Sequence, residues 1–204
     1  MPDIREHVKK AYNSIAVKYD NKTTEYNVPQ SQKDITDCFL STLSNDDTIV
    51  DIGCGGQPIV IDNVNTIGID FSRNQLQRYS GDNVTMIQGD MVEIPVKNNT
   101  FDGLTAYYSL IHIPLKYHQK VINEFSRIVK TDAYILITEG SEEWVGEADE
   151  WLDSGEKMSW EMAGKTKTRE QLKNAGFEIK QIKPVKDNLG EKEGTKQFFL
   201  AQKV

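Results

Sequence analysis

The sequence predicts an α/β protein built on one mainly parallel sheet covered by helices on both faces. Three observations carry this expectation. Between positions 48 and 138, short apolar strands alternate with polar or helical segments, the pattern of successive βα units. The first of these strands runs into a glycine-rich turn, Asp51-Ile52-Gly53-Cys54-Gly55-Gly56. The second, third and fifth strands each close on a carboxylate: Asp70, Asp90 and Glu139.

Each element has its own local reason. Ile4, Val8, Ala11, Tyr12, Ile15 and Tyr19 recur at helical spacing, which predicts a first helix that leaves Arg5, Glu6, Lys9 and Lys10 toward water, with Asp3 as its N-cap. The polar segment 20–30, closed by Pro29, reads as a loop. A second helix is predicted over 31–43 from the stripe Ile35, Phe39 and Leu43, and Ser44-Asn45-Asp46-Asp47 stops it. Strands follow at 48–50, 65–69, 83–88, 101–106 and 133–138. Ser72 caps a short helix to Tyr79, and Pro114 suits the first position of a long helix carrying Leu115, His118, Val121, Ile122, Phe125 and Ile128. Thr168 caps a last helix through Asn174, and 177–185 and 196–202 form an antiparallel pair across a charged turn at 187–195.

Composition narrows the function classes. The chain has 204 residues, 38% hydrophobic and 27% charged, ordinary for a soluble globular domain. No apolar run approaches the roughly 20 residues of a membrane span, and the first residues have no apolar core, so no signal peptide is expected. Two cysteines make no disulfide framework, which points to a reducing, cytoplasmic setting. A net charge of −7 with no basic cluster argues against nucleic acid as a partner. Residues 140–164 hold eight acids against one base, Lys157, and all three tryptophans. The segment 140–167 is therefore the one compositional boundary.

Strand, glycine turn and a carboxylate at the end of the next strand describe a nucleoside-binding crevice, with Asp70 placed to accept ribose hydroxyls. The plainer reading is a turn and a helix cap. A dinucleotide site would want a third glycine where this chain has Pro58, and 59–65 is β-branched and a poor helix former. A ligand with ribose and adenine but no phosphate fits better.

These residues also carry a family likeness. VDIGCGG at 50–56, GID at 68–70, GDMVEIPVKNNTFDGLTAYYSLIHIP at 89–114 and AGF at 175–177 resemble the class I S-adenosylmethionine-dependent methyltransferases, in the small-molecule group that includes the ubiquinone/menaquinone-biosynthesis type. The resemblance spans residues 12–204 except the acidic insertion. It implies a Rossmann-like, seven-stranded sheet in the order 3-2-1-4-5-7-6 with strand seven antiparallel. It further implies S-adenosyl-L-methionine as cofactor and S-adenosyl-L-homocysteine as product. Asp51 and Gly53 would border the methionine amino group, and Gly55 would make room for the nucleoside. Asp70 would lie at the ribose, Asp90 and Met91 at the adenine, and Tyr107 near the methionine part, with Cys54 and Phe71 also among the cofactor-binding residues. Tyr12 and Tyr19, on the first helix, would belong either to a lid (1–30) over the cofactor or to a plain capping helix. The chain departs from the pattern at Gln57 and in the 19 residues from Asp51 to Asp70, which leave room only for a brief or irregular helix after the first strand.

Methyl transfer is an in-line displacement, so orientation matters more than any one catalytic group. His112 is read either as a general base or as a packing group, and Glu139 either as a substrate contact or as a cap. Cys54 is either a thiol activated at a helix end or a small buried side chain. Tyr26 and Tyr108 are candidate acceptor contacts, as are Trp144 and Trp151 on a helix predicted through 142–153 and Trp160, which would form an apolar wall with Met158 and Met162. That insertion is either an amphipathic cover or a pocket wall for an amine or other cation. No cluster has metal-ligand spacing, so no metal is expected. The expected partner is a small-molecule methyl acceptor, with the chain a monomer or homodimer. A protein methyltransferase acting on a basic substrate and a non-catalytic cofactor-binding protein stand as alternatives.

Overall fold

Apolar runs bounded by polar turns assemble into one seven-stranded sheet in the computed structural model, which describes residues 4–187 and 194–204. The strands are β1 (Thr48–Ile52), β2 (Asn65–Asp70), β3 (Val84–Gln88), β4 (Phe101–Ala106), β5 (Val129–Gly140), β8 (Phe177–Asp187) and β9 (Gly194–Lys203). Their order is β3-β2-β1-β4-β5-β9-β8. The first five are parallel, while β9 runs antiparallel to both β5 and β8. With the two hairpin strands β6 (Glu143–Ala148) and β7 (Met158–Ala163) set aside, this is the expected order 3-2-1-4-5-7-6. Strand order reverses between β1 and β4, and a crevice opens at the carboxyl ends of the strands there.

The helices are α1 (Ile4–Thr24), α2 (Gln30–Leu40), α3 (Arg73–Leu76), α4 (Leu115–Ile128) and α5 (Gly164–Asn174). Phe125, Ile122 and Val121 of α4 are fully buried with Leu104, Ile135 and Phe199 on one face of the sheet. On the other face, Ile35 and Phe39 of α2 pack on Leu136, Phe198 and Leu200. Gly103 lets this helix come close, since a Cβ there would sit 3.0 Å from the Phe39 ring.

Several local expectations change. α1 runs through the predicted loop to Thr24, and the Thr23 hydroxyl donates back to the Tyr19 carbonyl (3.0 Å). α2 starts right after Pro29 and stops at Leu40, short of Leu43. Ser72 does cap α3, accepting from Gln75 N, but the helix ends at Leu76. Pro114 is the N-cap of α4 rather than its first residue. α5 begins at Gly164, so Thr168 lies inside it and bonds back to the Gly164 carbonyl (2.8 Å). The segment between β1 and β2 contains no helix, where a brief or irregular one was expected from the short spacing to Asp70. Asp3 and residues 188–193 of the predicted turn lie outside the described residues.

The largest correction concerns 140–167. The predicted helix over 142–153 is instead strand β6, a turn, and strand β7, with Trp144 opposite Met162 and Gly146 opposite Trp160. An isolated two-stranded ribbon is marginal in water. This one is held by Met158 and Trp160, which pack with Val8, Ala11, Tyr12 and Trp151. Tertiary burial of β7 thus overrides the helical spacing of the tryptophans and acids. The hairpin also caps α4, because Glu161 Oε2 accepts from Leu115 N (2.7 Å) at the helix N-terminus.

Phe39→Ala should therefore cost about 3–5 kcal/mol, the usual range for emptying a fully buried phenylalanine site. Urea unfolding followed by circular dichroism checks this, with the midpoint falling at constant slope.

Candidate functional site

The turn after β1 forms because Gly53 and Gly55 adopt φ of +70° and +58°, which other residues rarely reach. Gly53 N donates to the Ile69 carbonyl (2.7 Å), tying the turn to β2. Gly53 also lies against Ser109, whose hydroxyl donates to the Ile52 carbonyl (3.0 Å), and a Cβ on Gly53 would overlap the Ser109 Cβ. The turn therefore meets the segment after β4 at van der Waals contact.

Two carboxylates are buried at this junction. Asp51 Oδ1 accepts from the Thr105 hydroxyl (2.7 Å) and Oδ2 from Ile59 N (3.0 Å). Asp70 Oδ2 accepts from Gly55 N (2.9 Å) and Oδ1 from Ser72 N (2.8 Å). Burial raises Asp51 from 3.8 to about 6 despite those hydrogen bonds. Asp70 is likewise raised from 3.8 to about 6 by burial, with the Ser72 and Gly55 amides opposing the shift. Cys54 sits between them, and burial pushes its thiol well above the usual range, which removes the reading of an activated cysteine.

A narrow cleft, with a cavity volume of about 60 Å³, opens beside Asp70. Its walls include Tyr12, Tyr19, Gly53, Gly55, Asp70, Phe71, Asp90, Met91 and Tyr107, all expected around a cofactor. Tyr108 and His112 also line it. A second lobe continues from Tyr19, Gly53, Tyr107 and Tyr108 toward α2, and there Asp51, Cys54 and Tyr26 form part of the wall. Tyr107 and Tyr108 are held by α2: the Tyr107 hydroxyl lies 3.0 Å from the Thr36 hydroxyl, and the Tyr108 hydroxyl donates to Gln32 Oε1 (2.9 Å). Tyr108 has φ of +52°, an uncommon conformation for a tyrosine, at the point where the two lobes join.

His112 is fully engaged. Its Nδ1 lies 3.2 Å from the Ser159 carbonyl, which can only accept, so the ring proton is on Nδ1. Nε2 then accepts from the Tyr12 hydroxyl (2.9 Å). Burial lowers the imidazole to about 4, so it is neutral at pH 7. Around this pair, Trp151 meets Tyr12 edge-on at 5.5 Å and Trp160 at 5.9 Å. Trp151 and Trp160 buttress the tyrosine and histidine that line the cleft rather than lining it themselves. Trp144 is 49% exposed on β6, away from both lobes.

Glu139 is also placed away from the cleft. It is fully buried, its Oε1 accepts from Gly140 N (2.7 Å), and its Oε2 faces His118 Nδ1 at 3.3 Å. His118 Nε2 donates to the Ile113 carbonyl (2.7 Å), so this buried pair braces the segment that carries His112. Sequence reading missed Ser109, Gln75 and Arg5. Gln75 lines the cleft but belongs to no motif, Ser109 lies within the 89–114 motif without having been singled out, and Arg5 was assigned to solvent by its place outside the apolar stripe of α1. No group of three or more histidine, cysteine or acidic residues capable of holding a metal occurs among the described residues.

Gly53→Ala should cost about 1–3 kcal/mol through backbone strain and displacement of Ser109, and should weaken nucleoside binding. Thermal melts and titration calorimetry with S-adenosylhomocysteine check both effects. The raised carboxylates add a pH dependence. Between pH 4 and 6 the folded chain holds protons at Asp51 and Asp70 that the unfolded chain has released. Their contribution to stability is therefore fullest below pH 4 and lost as pH rises through about 6. A ligand presenting hydroxyl donors and an ammonium favours the ionised carboxylates. Its binding near pH 5.5 should release protons, read from calorimetric enthalpies in buffers of different ionisation heat.

Comparison with known proteins agrees with this geometry. Residues 50–137 match a family described as "Methyltransferase domain". A demethylmenaquinone methyltransferase of Staphylococcus aureus (strain JH9) is 31% identical over 80 residues, which cover 37% of this chain and 32% of that protein. The match thus spans about a third of the relative's length. Among solved structures, an S-adenosylmethionine-dependent methyltransferase from Methanosarcina mazei superposes with a TM-score of 0.72 at 19% identity, over 82% of this chain and 97% of its own. Magnesium protoporphyrin IX methyltransferase from Synechocystis PCC 6803, solved with bound cofactor, gives 0.73 at 14% identity over 100% and 99%. The (4+2)-cyclase SpnF gives 0.74 at 19% identity over 100% and 97%. In strand order, in the glycine turn and in the stretch 50–137, the chain carries the class I S-adenosylmethionine-dependent methyltransferase fold.

Proposed function

We propose that the protein binds S-adenosylmethionine in the cleft over Asp70 and Asp90 and transfers its methyl group to a small-molecule acceptor. The single observation that carries this reading is the placement of both carboxylates and the Gly53–Gly55 turn around one cleft. The residues present fit the cofactor. Asp70 is oriented by two backbone amides and keeps lone pairs for ribose hydroxyls. Asp90 and Met91 stand at the other end for the adenine. When bound, the cofactor supplies an electrophilic methyl on a sulfonium.

The chain's own contribution is orientation and exclusion of water. Tyr12 and Tyr19 place α1 over the cleft as a lid, and the second lobe, walled by Tyr26 and Tyr108, receives the acceptor. His112, neutral and accepting from Tyr12, has the tautomer of a base that takes a proton through the tyrosine hydroxyl. The 140–167 hairpin acts on this site by backing the residues that line it, through the Ser159 carbonyl on His112 and through Trp151 and Trp160 on Tyr12 and His112. An amine is a suitable acceptor class, since acids such as Asp20 and Asp37 line the second lobe. The identity with a demethylmenaquinone methyltransferase supports the quinone-biosynthesis group as the alternative acceptor class. Two unpaired cysteines support a cytoplasmic setting, and no described helix is long and apolar enough to cross a membrane.

A second reading has one observation in its favour. Both nitrogens of His112 are engaged, so no ready base faces the cleft, which suits a cofactor-binding protein of this fold that transfers no methyl group. A screen with isotopically labelled cofactor over amines, phenols, thiols and quinone precursors separates the two. Asp70→Ala should weaken S-adenosylhomocysteine binding at least about tenfold, given roughly 1.5–3 kcal/mol per charge-assisted hydrogen bond. Unchanged affinity, or tighter binding of NAD, would refute the cofactor assignment.

A further inference from the structure

Arg5 lies outside every motif, yet it reaches across 85 positions of sequence to Asp90, from the side away from the cleft that Asp90 lines. Its Nη1 donates to Asp90 Oδ2 at 2.7 Å. The guanidinium carbon also lies 5.0 Å from the centre of the Tyr117 ring, on the first turn of α4. An arginine held between a carboxylate and an aromatic face has little freedom left. The other oxygen of Asp90 is fixed as well, because Oδ1 accepts from Val92 N (2.9 Å).

Asp90 is thus gripped from two sides, by its own turn and by α1. A carboxylate offers about four lone-pair sites. Two are committed to Val92 and Arg5, and those that remain are oriented by them rather than free to rotate. The Asp90 side chain is 41% exposed and lines the cleft, so a bound base would strip water from it. Desolvating a lone carboxylate is costly, whereas one already paired with a guanidinium keeps its charge compensated.

We propose that Arg5 is a cofactor-positioning residue, which holds Asp90 as an acceptor for an exocyclic amine and so selects an adenine nucleoside over a hypoxanthine one. The inference rests on the reading of Asp90 as the adenine acceptor and adds a residue from a different part of the chain. Adenine presents an amino donor at this edge. Hypoxanthine presents a carbonyl oxygen, which an immobilised carboxylate repels. With Arg5 removed, Asp90 can turn aside, and discrimination falls along with affinity. Arg5 also makes one end of α1 part of the adenine site, while Asp20 near the other end accepts from Arg78 (3.1 Å) beside the glycine turn.

The test is titration calorimetry of S-adenosylhomocysteine and S-inosylhomocysteine against wild type, Arg5→Gln, Arg5→Lys and Asp90→Asn, at low and high salt. Arg5→Gln should weaken S-adenosylhomocysteine about three- to tenfold, narrow the adenine-over-hypoxanthine ratio and flatten the salt dependence. Its melting temperature without ligand should stay close to wild type, and Arg5→Lys should recover part of the affinity. Equal or tighter binding by Arg5→Gln, with Asp90→Asn weakened, would overturn the role of Arg5 and leave that of Asp90 standing. Unchanged affinity in Asp90→Asn would remove the adenine reading itself, and the inference with it. A wild-type base ratio in Arg5→Gln would overturn the selection role.

Discussion

Asp70 is the point on which the site depends. Its two oxygens accept amide protons from Gly55 and Ser72, so one carboxylate joins the turn after β1 to the start of α3. Gly53 N reinforces the junction by donating to Ile69 at the end of β2. These bonds form in a buried place where an unsatisfied amide or a free charge would cost several kcal/mol. The chain resolves both problems with one residue, and the resolution leaves a raised carboxylate facing a cleft. Parallel strands make this geometry available, since β1, β2 and β4 all deliver their carboxyl ends to the same edge.

A second layer of constraint comes from elements remote in sequence. Strand β7 presents Ser159 to His112 and Trp160 to Trp151, and Glu161 caps the helix that follows His112. The acidic hairpin is therefore a brace for the far wall of the cleft. Beneath it, Glu139 and His118 are wholly buried at the end of β5 and hold the Ile113 carbonyl. The position of this pair behind His112 gives it a reason to exist: it sets where that histidine sits.

Helix α1 closes the remaining side. Asn13 accepts from the Ser72 hydroxyl (2.8 Å), Tyr12 donates to His112, and Arg5 and Asp20 form ion pairs near the two ends. A helix that contributes only an apolar stripe would be a cover. One whose polar residues bond along the length of a cleft is part of its wall, and any motion of it must break specific hydrogen bonds.

How much was legible in the sequence follows from the range of the interactions involved. The strands, their parallel arrangement, the glycine turn and the carboxylates Asp51, Asp70 and Asp90 were all readable, because each is written in local period or in one turn's backbone demands. The spacing between β1 and β2 limited any helix there to a brief or irregular one, and the chain has none. The hairpin could not be read. Trp144, Ala148 and Trp151 satisfy helical spacing, and only the burial of Met158 and Trp160 against α1 selects the strand. The same limit hid Arg5, whose position off the apolar stripe says solvent and whose partner is brought near only by the fold. Likewise, the neutral state of His112 and the seclusion of Glu139 depend on burial, which no spacing rule reports. Local chemistry thus determined where a nucleoside could bind. Tertiary packing decided which side chains surround it, because desolvation and long-range pairing exist only once the chain has folded.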